Sequence, residues 1–206
     1  GGVRGRIGIQ ERRQGMRRIL VTGANKGIGA AIAERILEEA EDTFLFLGSR
    51  DPGRGNAAAE RLKQADPDRA DRIEVFEIDV ASDASVEKAA QTVRDACGGE
   101  KLYGLVNNAG IGLGNEDLAT VLNVNTRGIE RVCRAFIPLL ADGGRIVNIT
   151  SASGPNFVAT CSAERRAFFK DPAVTWNEIE ALMEDCIAIE RDTKAFKTQG
   201  LGVGSP

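Results

Sequence analysis

The sequence predicts a doubly wound α/β fold: parallel strands in the order 3-2-1-4-5 with helices on both faces. Short apolar runs alternate with helix-period segments from Arg18 onward, the pattern of βαβ units. The first run, Arg18-Ile19-Leu20-Val21, ends in a glycine-punctuated turn, Thr22-Gly-Ala-Asn-Lys-Gly-Ile-Gly29, which opens at once into a helix-compatible segment. Polar residues suited to ligand contact stand directly after the apolar runs, where the carboxyl edge of a parallel sheet falls.

The glycine turn sets the frame. Gly23 permits a tight turn, Gly27 lets the main chain approach a ligand, and Gly29 lets helix and strand pack closely. The N–H groups and dipole at the start of the following helix attract an anion. That helix, about 27–40, carries Ile28, Ile32 and Ile36 with Ala33 and Leu37, a stripe that should lie on the sheet.

The second strand is Thr43-Phe44-Leu45-Phe46-Leu47, a continuous apolar run suited to cover on both faces. Gly48-Ser49-Arg50-Asp51-Pro52 follows as a loop, then a polar helix over roughly 55–65. Ile73–Ile78 is the third strand, ending before Asp79. The next helix starts near Ser82 or Asp83, either of which can cap it, and Gly98-Gly99 stop it. Leu102–Val106 is the fourth strand. A helix runs from near Asp117 toward Phe136, with Pro138 ending it, and Arg145–Thr150 is the fifth strand. Residues 155–206 contain no convincing strand. A short helix is expected around 162–170, a capping box at Thr175–Glu178 leads a longer one, and Gly200–Pro206 reads as loop.

Composition bounds the function. The chain has 206 residues, 42% hydrophobic and 28% charged, with a net charge of −3, so neither nucleic acid nor an anionic membrane is an expected partner. No apolar run approaches the ~18 residues of a membrane span. The four cysteines, Cys97, Cys133, Cys161 and Cys186, form no C-x-x-C pair and read as reduced thiols of a cytoplasmic protein. Histidine is absent, which excludes Ser-His-Asp and Cys-His catalysis and any histidine-bearing metal site. No metal is expected. Tyr103 is the single tyrosine. Residues 1–15, rich in Gly and Arg (Arg4, Arg6, Arg12, Arg13), are expected to be a disordered leader, with Met16 a natural start. Residues 16–206 are expected to form one dinucleotide-binding domain in which 155–206 is a helical insertion.

The end of the second strand lies near the adenosine ribose in this architecture, where an acid binds the 2′-hydroxyl of NAD and an arginine accommodates the 2′-phosphate of NADP. Gly48-Ser49-Arg50 puts no carboxylate in the first loop positions. A loop arginine by itself is ordinarily just solvated. Beside the glycine turn, Arg50 reads as a bidentate phosphate donor, with Lys26 adding a second positive charge. Asp79 follows the third strand and Asn107-Asn108-Ala109-Gly110 the fourth. Asp79 is either a contact to the adenine amine or a turn residue leading into the helix. Asn108 is expected to brace the strand edge as well as touch the cofactor.

Thr22–Gly29, Asp79-Val80, Asn107–Gly110, Val124-Asn125 and Gly144–Ser151 occur in order. That set resembles the short-chain dehydrogenase/reductase family over residues 17 to about 154, with its Rossmann-like fold. The segment after Ser151 resembles, more loosely, the helical insertion of the carbonyl-reductase branch, in Ala159–Phe169 and Asn177–Asp185. The resemblance implies NADPH-dependent reduction of ketone or aldehyde carbonyls on a small-molecule substrate. It assigns NADP(H) contacts to Gly23, Asn25, Lys26, Gly27, Ile28, Gly29, Arg50, Asp79, Val80, Asn108, Ala109 and Gly110. It makes Ser151 the serine that hydrogen-bonds the carbonyl oxygen, with Ser153 its rival, and Asn125 the asparagine that holds a water in the proton relay. It also implies a monomer, since the insertion obstructs the usual dimer face.

Two departures stand out. The stretch from Gly110 to Asn125 is shorter than the family's. The family's proton-donating tyrosine, with a lysine four residues on, is missing: Tyr103 opens the fourth strand, Asn107 stands four residues later, and no tyrosine follows Ser151. The chain stops where the insertion would return to that tyrosine, so the expectation is a truncated reductase, inactive as written although its full-length parent would be active. The alternatives are a non-catalytic NADP-binding or regulatory protein, or an inactive fragment.

Overall fold

β1 (Arg17–Val21), β2 (Thr43–Ser49), β3 (Ile73–Glu77), β4 (Leu102–Asn107) and β5 (Leu140–Asn148) pair in the order β3-β2-β1-β4-β5, every pair parallel. The computed structural model describes residues 15–112, 114, 117–190 and 192–202. The expected leader, apart from Gly15, and residues 203–206 of the expected closing loop lie outside them. The helices are α1 (Gly27–Glu39), α2 (Pro52–Ala65), α3 (Asp83–Cys97), α4 (Leu118–Leu122), α5 (Gly128–Phe136), α6 (Ser153–Ala159), α7 (Ala163–Lys170), α8 (Trp176–Ala188) and α9 (Thr193–Thr198). By contact density the chain divides into two compact units, one of residues 1–112 with 123–149 and one of residues 113–122 with 150–206.

In the first unit, strand alternation sorts the core into two layers. Leu20, Phe44, Phe46, Phe76 and Leu105 join one layer, with Val86, Ala89, Ala90 and Val93 of α3 and Val132 and Phe136 of α5. Val21, Leu45, Leu47, Ile73 and Val106 join the other, with Ala33 and Leu37 of α1 and Ala58, Ala59 and Leu62 of α2. Strands covered on both faces have no polar side to show, which is why they read as unbroken apolar runs. All seven residues of β2 are buried.

Several elements differ from expectation. α6 and α9 are helices beyond those expected, and Ile28, expected to lie on the sheet, is 66% exposed, leaving Gly29, Ala33 and Leu37 as the buried residues of α1. α2 starts at Pro52 rather than near residue 55, because Asp51 caps it, Oδ1 accepting from Arg54 N at 3.0 Å, and Pro52 presets the first turn. β5 begins at Leu140, but pairing passes from Leu102↔Leu140 to Gly104↔Arg145, so the stretch between, including Gly143 at φ 75°, falls out of register. The helix expected from about Asp117 to Phe136 is interrupted by a π turn at Asn123–Arg127.

The second unit is helical among its described residues. Its small core is Cys161, Leu182 and Leu201, with Phe168, Cys186 and Phe196 against it. The capping box forms at α8: Thr175 accepts from Glu178 N, and the Glu178 side chain accepts from Thr175 N at 2.8 Å. Among the described residues no helix is long and apolar enough to cross a membrane.

β3 and β5 are the two edges of the five described strands, and on β5 Ile146 and Val147 are 41% and 47% exposed. An exposed apolar edge templates association. Val147→Lys should therefore lower self-association in light scattering at fixed concentration while leaving the melting midpoint unchanged; scattering equal to that of the unmodified chain would count against the edge as its cause.

Candidate functional site

The turn after β1 is tied to the ends of both neighbouring strands. Thr22 is buried, its N–H donates to the Val106 carbonyl at 3.0 Å, and Ala24 N–H donates to the Gly48 carbonyl at 2.9 Å. The Thr22 hydroxyl oxygen accepts two backbone N–H groups, those of Asn108 and Ala109, both at 3.0 Å. Asn108 Nδ2 returns the tie by donating to the carbonyls of Thr22 (2.9 Å) and Gly23 (3.2 Å). Both Asn108 amide hydrogens are thereby committed to backbone, so its side chain braces the two strand ends.

That closeness dictates the glycines. Gly23 has φ 65°, and a Cβ there would meet Ala109 Cα at 2.9 Å. A Cβ at Gly29 would collide with the Gly23 carbonyl oxygen and Asn108 Nδ2. Gly29 therefore makes room for the brace between two turns, a tighter constraint than helix against strand. Gly27 has φ 55° with open space around it, so backbone conformation alone requires it.

α1 begins without a side-chain cap: Lys26 occupies the N-cap position, makes no capping bond, and no acidic residue stands in the first turn. α2 and α3 are capped by Asp51 and Ser82. The first N–H groups of an uncapped helix are orphan donors at a positive dipole end. Here Gly27, Ile28 and Gly29 line a cleft of about 670 Å³ along the carboxyl edge of the sheet.

The same cleft takes Gly23, Asn25 and Lys26 from the glycine turn, Arg50 from the end of β2, Asp79 and Val80 from beyond β3, and Asn108, Ala109 and Gly110 from beyond β4. Every residue to which the resemblance assigned a cofactor contact lines it. Arg50 is exposed and, among the described residues, carries no ion pair. Asp79 Oδ1 accepts from Ala81 N at 3.0 Å, and Asp79 N–H donates to Ser85 Oγ at 2.9 Å. The turn role of Asp79 is thus occupied by one carboxylate oxygen, and among the described residues Oδ2 has no partner.

Arg54 also lines the cleft and was not singled out in the sequence. It sits in the first turn of α2, 69% exposed, with Nε 3.5 Å from Asp51 Oδ2. The legible signal was Asp51-Pro52, a cap and first-turn proline that start the helix early enough to bring Arg54 beside Arg50. Thr22 was likewise read as part of the turn rather than as the acceptor that closes it.

The residues assigned to chemistry lie differently. Asn125 sits in the π turn and grips the backbone of Ile111, Oδ1 accepting from its N–H at 2.9 Å and Nδ2 donating to its carbonyl at 2.8 Å. Asn125 does not line the cleft, whereas its neighbour Val124 and its partner Ile111 do. In the second unit, exposed Ser151 and Ser153 are joined, Oγ to Oγ 3.1 Å, and Ser153 N–H donates to Ser151 Oγ at 3.1 Å. Tyr103 lies under the Arg17 guanidinium, 5.4 Å from its ring centroid. It is four residues upstream of Asn107 on a strand rising about 3.3 Å per residue, hence about 13 Å from the edge that bears the cleft. The Cys133 thiol, which accepts from Asn107 Nδ2 at 3.4 Å, is pushed up by burial and is no ready nucleophile.

Residues 17–163 match the family model described as short chain dehydrogenase. Carbonyl reductase (NADPH) 1 of Oryctolagus cuniculus is 33% identical over 192 residues, 88% of this chain and 65% of the relative. The mitochondrial D-beta-hydroxybutyrate dehydrogenase of Bos taurus is 32% identical over 150 residues, 68% of this chain and 42% of the relative. The chain thus spans less than two thirds of the length of these relatives. Among solved structures, menthone neomenthol reductase from Mentha piperita superposes with a TM-score of 0.76 at 26% identity, covering 89% of this chain and 77% of that one.

The Thr22–Asn108 brace makes a direct prediction. Asn108→Ala leaves the carbonyls of Thr22 and Gly23 without their side-chain donor and should destabilise the ligand-free chain by roughly 1–3 kcal/mol, read by denaturant unfolding. A change near zero would remove the bracing role.

Proposed function

The chain belongs to the short-chain dehydrogenase family, and we propose that its cleft binds NADPH and that residues 1–206 by themselves turn over no substrate. The observation that carries the binding half is the uncapped start of α1 opening into a cleft flanked by Lys26, Arg50 and Arg54. Pyrophosphate takes the Gly27–Gly29 N–H donors, as an anion does at any helix amino terminus. Arg50 receives the 2′-phosphate with Arg54 and Lys26 beside it, because a guanidinium presents a fork that fits phosphate oxygens. Asp51 does not compete as a ribose ligand, since its Oδ1 caps α2 and its Oδ2 faces Arg54. Asp79 Oδ2 accepts the adenine amine. The NADPH in the rabbit relative's name supports the same choice of nucleotide.

A bound nicotinamide would supply a hydride for a ketone or aldehyde carbonyl, which is the activity we assign to the reductase type this chain represents. Within it, Ser151 holds the carbonyl oxygen and Asn125 orients a relay water while anchoring Ile111. The proton donor is the missing element: the sequence has one tyrosine, and it lies toward the wrong end of β4. A positioned general acid contributes about 10²–10⁴ in rate. A second reading, a non-catalytic NADP-binding protein, shares the cleft assignment. In both, residues 16–206 act as one dinucleotide-binding domain with the helical insertion at 155–206, monomeric and cytoplasmic.

NADPH should raise the melting midpoint, the increment corresponding to about 2.7 kcal/mol when its concentration is a hundred times Kd. It should not be oxidised in the presence of an aromatic ketone, and Ser151→Ala should change neither result. Arg50→Ala should weaken NADPH at least tenfold and NADH less than threefold. Equal losses for both nucleotides would refute the 2′-phosphate assignment, and steady turnover would refute the inactive reading.

A further inference from the structure

Arg131, on α5, is not among the residues that line the cleft, yet its guanidinium joins the two turns that carry part of it. Its side chain is only 13% exposed. Nε donates to Asp83 Oδ2 at 2.9 Å, one terminal nitrogen to the carbonyls of Val80 (3.2 Å) and Asn123 (3.1 Å), and the other to Asn123 Oδ1 (2.7 Å). Asn123 completes the link, Nδ2 donating to the Ala81 carbonyl at 3.3 Å. On one side is the turn Asp79–Ala81 after β3, whose Asp79 and Val80 line the cleft. On the other is the π turn Asn123–Arg127, which carries Val124 of the cleft and Asn125 with its grip on Ile111. The turn after β3 also packs closely on Gly128, the first residue of α5 beyond the π turn, where a Cβ would stand 3.1 Å from the Val80 carbonyl oxygen.

We propose that Arg131 is a positioning residue for the nucleotide cleft, fixing the Asp79–Ala81 turn against the π turn so that Val80, Val124 and Ile111 keep the separation a bound dinucleotide needs. The inference rests on the reading that the cleft holds NADPH. A planar fork with donors in three directions can serve two carbonyls, an amide oxygen and a carboxylate at once, and a lysine ammonium cannot. A single π turn closes wider i→i+5 bonds in place of the i→i+4 ladder on either side of it, so an external anchor has something to add there. The Asp83 carboxyl is held below the usual carboxylate range, first by the hydrogen bond from Arg131, with Arg134 also contributing, so the anchor is charged on both sides at neutral pH. Arg134 is the internal control: it pairs with Asp83 at 2.7 Å and Glu130 at 3.8 Å and is 62% exposed.

The experiment measures NADPH affinity by fluorescence titration, well below the melting midpoint, together with amide hydrogen exchange of the ligand-free chain, for Arg131→Met, Arg131→Lys and Arg134→Met. Arg131→Met should lose about tenfold in affinity and speed exchange at Val80, Ala81 and Ile111 while the central strands stay protected. Arg131→Lys keeps a charge opposite Asp83, folds, and should lose about threefold. Arg134→Met should stay within twofold. If the Arg131 variants bind NADPH like the unmodified chain, or exchange at those amides does not change, Arg131 is a stabilising residue only and the proposal falls. If the unmodified chain binds no NADPH, the cleft assignment fails and the role of Arg131 fails with it, a result distinct from the first.

Discussion

One hydroxyl organises the cleft. The Thr22 oxygen accepts the N–H groups of Asn108 and Ala109, and Asn108 answers by donating to the Thr22 and Gly23 carbonyls. These bonds bring the turn after β1 against the turn after β4 so closely that Gly23 and Gly29 admit no Cβ. They also satisfy buried backbone groups that would each cost about 1–3 kcal/mol if left unpaired. With both turns fixed from behind, α1 can start uncapped, its first N–H groups turned to the cleft instead of to a serine or aspartate.

That arrangement trades stability for binding. A side-chain cap stabilises a helix by typically ~1 kcal/mol; α2 and α3 have one, and α1 does not. The orphan donors that weaken the isolated helix are those an anion satisfies. At the β2 end three cations face one carboxylate: Lys26 and Arg50 carry no ion pair among the described residues, and Asp51, which caps α2, stands 3.5 Å from Arg54. Behind the opposite wall the guanidinium of Arg131 does for the π turn what Asn108 does for the glycine turn. On the reading advanced above, the chain supports its nucleotide cleft from two directions.

Much of this was legible in sequence because it is local. The glycine trio, the apolar strand runs and the polar residues just after them mark the sheet's carboxyl edge without any knowledge of packing, and strand order follows from the doubly wound pattern. The start of α2 was legible too, in Asp51-Pro52, although the glycines at 53 and 55 argue against helix and drew the expected boundary inward. The π turn and the out-of-register stretch of β5 were not legible. Each is set by partners distant in sequence, Ile111 for Asn125 and Gly104 for Arg145. Arg131 is equally silent in sequence, since an arginine on a helix is normally a solvated one.

The account stands on the claim that the uncapped start of α1 is the anion site of a dinucleotide cleft. The measurement that bears on it most directly is a titration of the isotope-labelled chain with NADPH, followed through its backbone amide signals. The largest shifts are expected at Gly27, Ile28 and Gly29, saturating together with that of Arg50. Saturable shifts that spare those amides, or no shifts at millimolar nucleotide, would contradict it.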